Sequence, residues 1–144
     1  MPWDVAQLLA KSQAELDDLF AQSPAGPIPN GTANGTAIIA PGTVFSKEIA
    51  EAINFFCWQG KTFDSQRSVL TNRISILGFN AIVAEVYKGA SWLDQKECIV
   101  LDYSKTSLVA QMIRDEIRLI DPNFYLGRVY WGHDPLIHFC LEFH

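Results

Sequence analysis

Polar and apolar residues follow two different periods along this chain, and the change comes near Trp58. Before it, Val5, Leu8, Leu9, Leu16, Leu19 and Phe20 recur at helical spacing, which predicts helix over 3–21. Ser12, followed three residues later by Glu15, forms a capping box, so that helix is expected to break or restart there. The stretch SPAGPIPNGTANGTAIIAPGT then carries two Asn-Gly turn signals, and TAII (36–39) reads as a short strand. A further helix is expected from about Ser46 to Cys57, with Ser46 as N-cap and Ile49, Ala52, Ile53 and Phe56 as its stripe.

After Trp58 the segments are short and rich in β-formers, and Gly, Asn, Asp and Pro separate them. WQGKTFD, SVLTNRISIL, NAIVAEVYK, KECIVLDYS, AQMIRDEIRLI, FYLGRVYW and PLIHFCLEF read as an antiparallel meander. Residues 107–120 also fit helical periodicity, but strand is the preferred reading. A sheet of this length curls or closes. The expected fold is therefore α+β and mostly β: N-terminal helices packed on, or plugging, a strongly curved antiparallel sheet or barrel of about 7–8 strands. One domain is expected over 1–144. Residues 1–57 form its helical and Gly/Pro-rich part, and 58–144 the meander.

Strand parity sharpens the picture. If GHDP (132–135) joins the last two strands, one face carries Phe124, Leu126, Arg128, Tyr130, Ile137, Phe139, Leu141 and Phe143. That face is apolar except for Arg128 and the Tyr130 hydroxyl. The preceding strand has two registers open to it. A loop of Asp121-Pro122-Asn123 adds Arg114, Glu116 and Arg118 to this face. A loop that also takes Ile120 adds Ile113, Asp115, Ile117 and Leu119 instead. Unpaired buried charges cost several kcal/mol each by rough estimate, so the second register is favoured. It sets Asp115 opposite Arg128 and leaves Arg114, Glu116 and Arg118 on a solvated outer face. In the strand before that, Ile99, Leu101 and Tyr103 are the favoured inward set.

An Asp115–Arg128 pair inside a curled sheet admits three roles. It can fix register as a buried ion pair. It can anchor a ligand: Arg128 and Tyr130 would hold a polar head, and Phe124, Leu126, Phe139, Leu141 and Tyr103 an apolar tail. It can be catalytic, with Asp115 as acid or base and Tyr130 stabilising charge. Metal binding is not expected, because His133, His138 and His144 share no ligand spacing. Nor is any other cofactor expected. Gly60-Lys61-Thr62 is not a phosphate loop, since Phe55 stands where its first Gly would be. LDYSKTS (101–107) reads as an Asp/Ser turn, and Trp92 as a lid or plug.

Composition narrows the classes. Apolar residues make up 49% and charged residues 19%, which supplies a core and argues against disorder. The net charge is −5 and the basic residues are scattered, which argues against nucleic-acid binding. No apolar run is long enough to span a bilayer. Cys57, Cys98 and Cys140 each lie in apolar sequence, so buried thiols and a cytoplasmic protein are expected. Trp3 and Trp131 are candidates for a dimer interface.

The order of elements, with WQGKTF (58–63) opening the sheet and FYLGRVYW preceding a final FCLEF, resembles small bacterial lipocalin-like (calycin) domains, including the GXWXG-type family. The likeness covers about 26–143. It implies a β-barrel that binds a small hydrophobic or amphipathic molecule, in some members with enzymatic activity. The leading expectation is such binding, to a ligand with a polar or acidic head. The alternatives are a cofactor-independent acid–base isomerase, cyclase or hydratase, and an interaction subunit.

Overall fold

The computed structural model describes residues 3–39, 61–74, 79–105 and 111–144. Among these residues two helices, α1 (Val5–Leu9) and α2 (Gln13–Gln22), precede eight strands. These are β1 (Gly31–Ile38), β2 (Lys61–Asp64), β3 (Val69–Ile74), β4 (Phe79–Ala90), β5 (Glu97–Asp102), β6 (Ile113–Asp121), β7 (Phe124–Trp131) and β8 (Asp134–Phe143). They form a closed barrel in sequence order, with every neighbouring pair antiparallel and β1 joined to β8. Closure leaves no free sheet edge.

The expected helix over 3–21 is two helices, and the break is the capping box. Ser12 Oγ accepts from the Glu15 amide at 3.1 Å, and Glu15 Oε1 accepts from the Ser12 amide at 3.0 Å. These bonds satisfy amide donors that a new helix start leaves open. Residues 113–121 are strand, as preferred. The two Asn-Gly pairs are not turns: Asn34-Gly35 lies within β1, which runs well beyond TAII. The helix expected over 46–57 lies outside the described residues.

Two cores result. One lines the inside of the barrel, with Phe63, Ile99, Leu101, Ile117, Val129 and Leu141 among its members. The other lies between the barrel's outer wall and the helices, where Leu8, Leu16 and Phe20 pack on Val100, Leu126 and Cys140. Strands β5 to β8 are thus covered on both faces, which is why β7 is buried over almost its whole length. The inward set Ile99, Leu101 and Tyr103 is as expected.

Registers in the last two hairpins differ from expectation, and the cause is the same in both. The turns are short: Pro122-Asn123 joins β6 to β7 and Gly132-His133 joins β7 to β8. Asn123 (φ 60°) and Gly132 (φ 62°) take the left-handed backbone that such tight turns require. Each hairpin then shifts register, between Leu119 and Asp121 in one and between Val129 and Tyr130 in the other. One extra residue on one strand reverses the facing of everything beyond it. Arg128 therefore pairs with Glu116 and His138, not with Asp115 and Phe139; Asp115 pairs with Val129.

Candidate functional site

The shift divides the expected site between two faces. Asp115, Tyr103, Phe139 and Leu141 are buried with the barrel interior. Phe124 and Leu126 belong to the outer core beneath the helices. Arg128 and Tyr130 stand on that same outer wall. The Asp115–Arg128 ion pair is not formed, and Arg128 does not serve an interior ligand.

Arg128 has other partners. Its Nε donates to Asp17 Oδ1 of α2 at 3.0 Å, and its Nη1 donates to the Tyr130 hydroxyl. His138 Nε2 donates to the same Asp17 oxygen at 2.7 Å. Burial of Asp17 opposes its ionisation, but the His138 hydrogen bond and the Arg128 charge outweigh this and hold its carboxyl below the ordinary range. Burial pushes the Tyr130 hydroxyl up to about 12, with the Glu116 charge adding to the shift. That hydroxyl is a hydrogen-bond partner, not a proton carrier near neutral pH.

Arg114, Glu116 and Arg118 lie on the outer wall, as expected, but they share it with Arg128, and Glu116 and Arg118 are buried rather than solvated. Segment 91–96 folds over them. Glu116 is fully buried and accepts from Ser91 Oγ at 2.6 Å, from the Trp92 amide at 2.9 Å and from Arg114 Nη2 at 2.9 Å. Arg118, 1% exposed, forks onto Asp94 with both bonds at 2.8 Å. It also donates to the carbonyls of Phe20, Lys96 and Glu97. The hydrogen bonds from Arg118 hold Asp94 down at about 2. Trp92 packs edge-on to Tyr130 and beneath the Arg114 guanidinium, which lies 4.3 Å from its ring centroid. These charges tolerate burial because they are paired.

The interior differs. Asp115 is fully buried, and neither carboxylate oxygen has a hydrogen-bond partner among the described residues. Burial raises its carboxyl to about 7; the Lys61 charge opposes this and the Glu116 charge adds to it. Lys61, also fully buried, holds its Nζ 5.7 Å from the Phe139 ring centroid. Sequence reasoning set Lys61 aside with the phosphate-loop match. Period two within KTFD carried the missing signal, because Lys61 shares its face with Phe63, which lies in the interior core.

Strand β7 depends on one glycine. A β-carbon on Gly127 would collide with the far end of the Phe139 ring, which lies against the backbone there. At one end, Leu119 and Tyr125 border both the interior core and a recess of about 530 Å³ that Pro24, Pro27 and Pro122 complete. The Tyr125 hydroxyl donates to the Pro27 carbonyl at 2.7 Å and ties the linker after α2 across this end.

Cys98 and Cys140 are free, and burial pushes both thiols up to about 12. No cluster suited to a metal occurs among the described residues. Asp102 accepts from the Ser104 amide and hydroxyl, the turn expected of LDYSKTS. Trp3 and Trp131 are partly buried, against the outer and the inner core respectively.

No family profile and no curated protein matches this chain. Among solved structures, a protein from Thermomonospora curvata is similar, with a TM-score of 0.65 at 18% identity over 97% of this chain and 95% of that one. That likeness supports the fold.

Proposed function

We propose that the barrel binds a small hydrophobic or amphipathic molecule in its interior, with the molecule's polar group meeting Asp115 and Lys61. One observation carries this reading. Among the described residues, the Asp115 carboxyl sits in an apolar interior with no hydrogen-bond donor, whereas the other buried carboxylate, that of Glu116, is bonded. Leaving such a group unpaired costs about 1–3 kcal/mol or more, and a ligand that supplies the donor removes that cost. Barrels of eight strands are wide enough to hold one small molecule. The recess at Tyr125 and Leu119 is the proposed way in, with the Tyr125–Pro27 bond as its fastening. The polar anchor is thus the Asp115–Lys61 set and not Arg128.

Titration with N-phenyl-1-naphthylamine, whose fluorescence rises in apolar surroundings, tests the reading. Wild type should bind it, and Leu101→Trp, which fills the interior, should weaken binding at least about tenfold, the effect of roughly 1.4 kcal/mol. Arg128→Lys, altered on the outer wall, should bind as wild type does. Binding that survives the Leu101→Trp filling would place the probe elsewhere and end the proposal. Native mass spectrometry of protein from its own host should show a bound small molecule.

A further inference from the structure

We infer that the outer wall carries a second binding site, a small cavity beside α2 in which Arg128 and His138 take up a small carboxylate together with one proton. The site is separate from the barrel interior, and it stands whether or not the interior binds a ligand.

Enclosure supplies the first ground. Gln13 and Asp17 of α2, Arg128 of β7 and His138 of β8 line a largely enclosed cavity of about 70 Å³, together with residues 135–137 of β8. A water takes up about 30 Å³ in the liquid, so the space suits about two waters or one molecule of roughly three or four non-hydrogen atoms. Two of the lining groups are deeply buried for their polarity: Arg128 and His138 are each 5% exposed. One carboxylate oxygen holds both of them, because Asp17 Oδ1 accepts from Arg128 Nε and from His138 Nε2.

The atoms left over supply the second ground. His138 Nδ1 is buried and has no hydrogen-bond partner among the described residues. Such an atom carries a desolvation cost that a bound partner removes. Arg128 spends Nε on Asp17 and Nη1 on Tyr130, and its Nη2 makes no hydrogen bond among the described residues. One nitrogen of a held imidazole and one of a held guanidinium are thus open beside the same small space. A carboxylate has two oxygens, one for each of them.

Charge balance explains the proton. Arg128 and the ionised Asp17 cancel one another, so an entering anion brings an uncompensated negative charge. With its Nε2–H given to Asp17, a neutral His138 offers a lone pair at Nδ1 and no donor. A proton on Nδ1 supplies the donor and balances the charge. No neighbouring group takes that part. Tyr130 on β7 and Cys140 on β8 keep their protons near neutral pH, because burial pushes both up to about 12. Glu116, opposite Arg128 on β6, is already bonded to Ser91 and Arg114. On β1 the residue paired with His138 is Ile38, which carries no charge.

The test uses the full chain, with sodium formate and sodium acetate as probes. Both anions stay ionised near neutral pH, so any proton taken up goes to the protein. Calorimetry in two buffers of different ionisation enthalpy gives the affinity and the number of protons absorbed. Nitrogen NMR of the histidine rings reports the state of His138 Nδ1. Wild type should bind formate with a dissociation constant of about 1 mM, near the ceiling for so small a ligand. Binding should absorb up to one proton and move the His138 Nδ1 resonance to its protonated position. It should weaken at least about tenfold from pH 6 to pH 8, the range in which histidine changes charge. His138→Phe should abolish the proton uptake. Gln13→Glu, an exposed change in the first turn of α2, adds a carboxylate to the cavity lining and should weaken binding at least about tenfold. That variant keeps the test decisive if His138→Phe does not fold. Failure of wild type to bind either probe overturns the site. So does binding without proton uptake, or binding by Gln13→Glu as tight as that of wild type.

Discussion

The two faces of strand β6 treat buried charge in opposite ways. On the outer face, Arg114, Glu116 and Arg118 lie under α2 and segment 91–96, and Glu116 and Arg118 are met from several directions by hydroxyl, amide, carbonyl or carboxylate groups. On the inner face, Asp115, next in sequence to Glu116, is buried just as deeply and has no donor among the described residues. The same strand, in the same few residues, solves the desolvation problem on one side and leaves it open on the other. A buried ion pair that is fully bonded is structure.

Three measurements sharpen or break this contrast. The largest effect is expected on the outer face. Arg118→Met removes the cation that joins α2, segment 91–96 and β6, and leaves Asp94 and three carbonyls without their donor. Urea denaturation should show a loss of about 3–5 kcal/mol; a loss below about 1 kcal/mol would mean that this network is not structural.

The next effect is on the inner face and has the opposite sense. The folded-state pKa of Asp115, about 7, lies above its ordinary carboxyl value of 3.8. Between those two values the folded state holds more protons than the unfolded chain. Stability attributable to this group is therefore greatest at the acid end and falls as pH rises from about 4 to 7. Asp115→Asn should remove that slope. Comparing the two proteins at pH 4.5 and pH 7.5, the variant should gain roughly 2–4 kcal/mol relative to wild type. An equal pH response in both would show that Asp115 is paired in solution.

The smallest effect is again on the outer face. Ser91→Ala deletes one of several donors to Glu116 and should cost roughly 1.5–3 kcal/mol in the same denaturation assay. A change near zero would show that Arg114 and the Trp92 amide suffice.

Much of the architecture was legible before any coordinates. The helix break at Ser12, the strand-rich half after Trp58, a curved antiparallel meander of the right strand number and the inward facing of Ile99, Leu101 and Tyr103 all follow from local pattern. The candidate site was legible only in part. Strand alternation groups Asp115 with Ile113 and Ile117, and the structure buries all three, but Asp115 pairs with Val129 and not with Arg128. A single displaced residue in each of two hairpins moved Arg128 to the other side of the wall.

What the sequence determined by itself is what short-range physics controls: element type, caps, turns and the alternation within each strand. That alternation already places Lys61 with Phe63 and Asp115 with Ile113 and Ile117. What only the tertiary structure decided is which strand faces which. Register across a hairpin depends on whether a bulge intervenes, and a bulge costs little locally while reversing every side chain beyond it. Closure of the barrel then sets β2 against β6, two strands far apart in the chain, and so brings the Lys61 charge to bear on Asp115. No local pattern encodes that meeting, because it depends on how many strands separate the two residues around the ring.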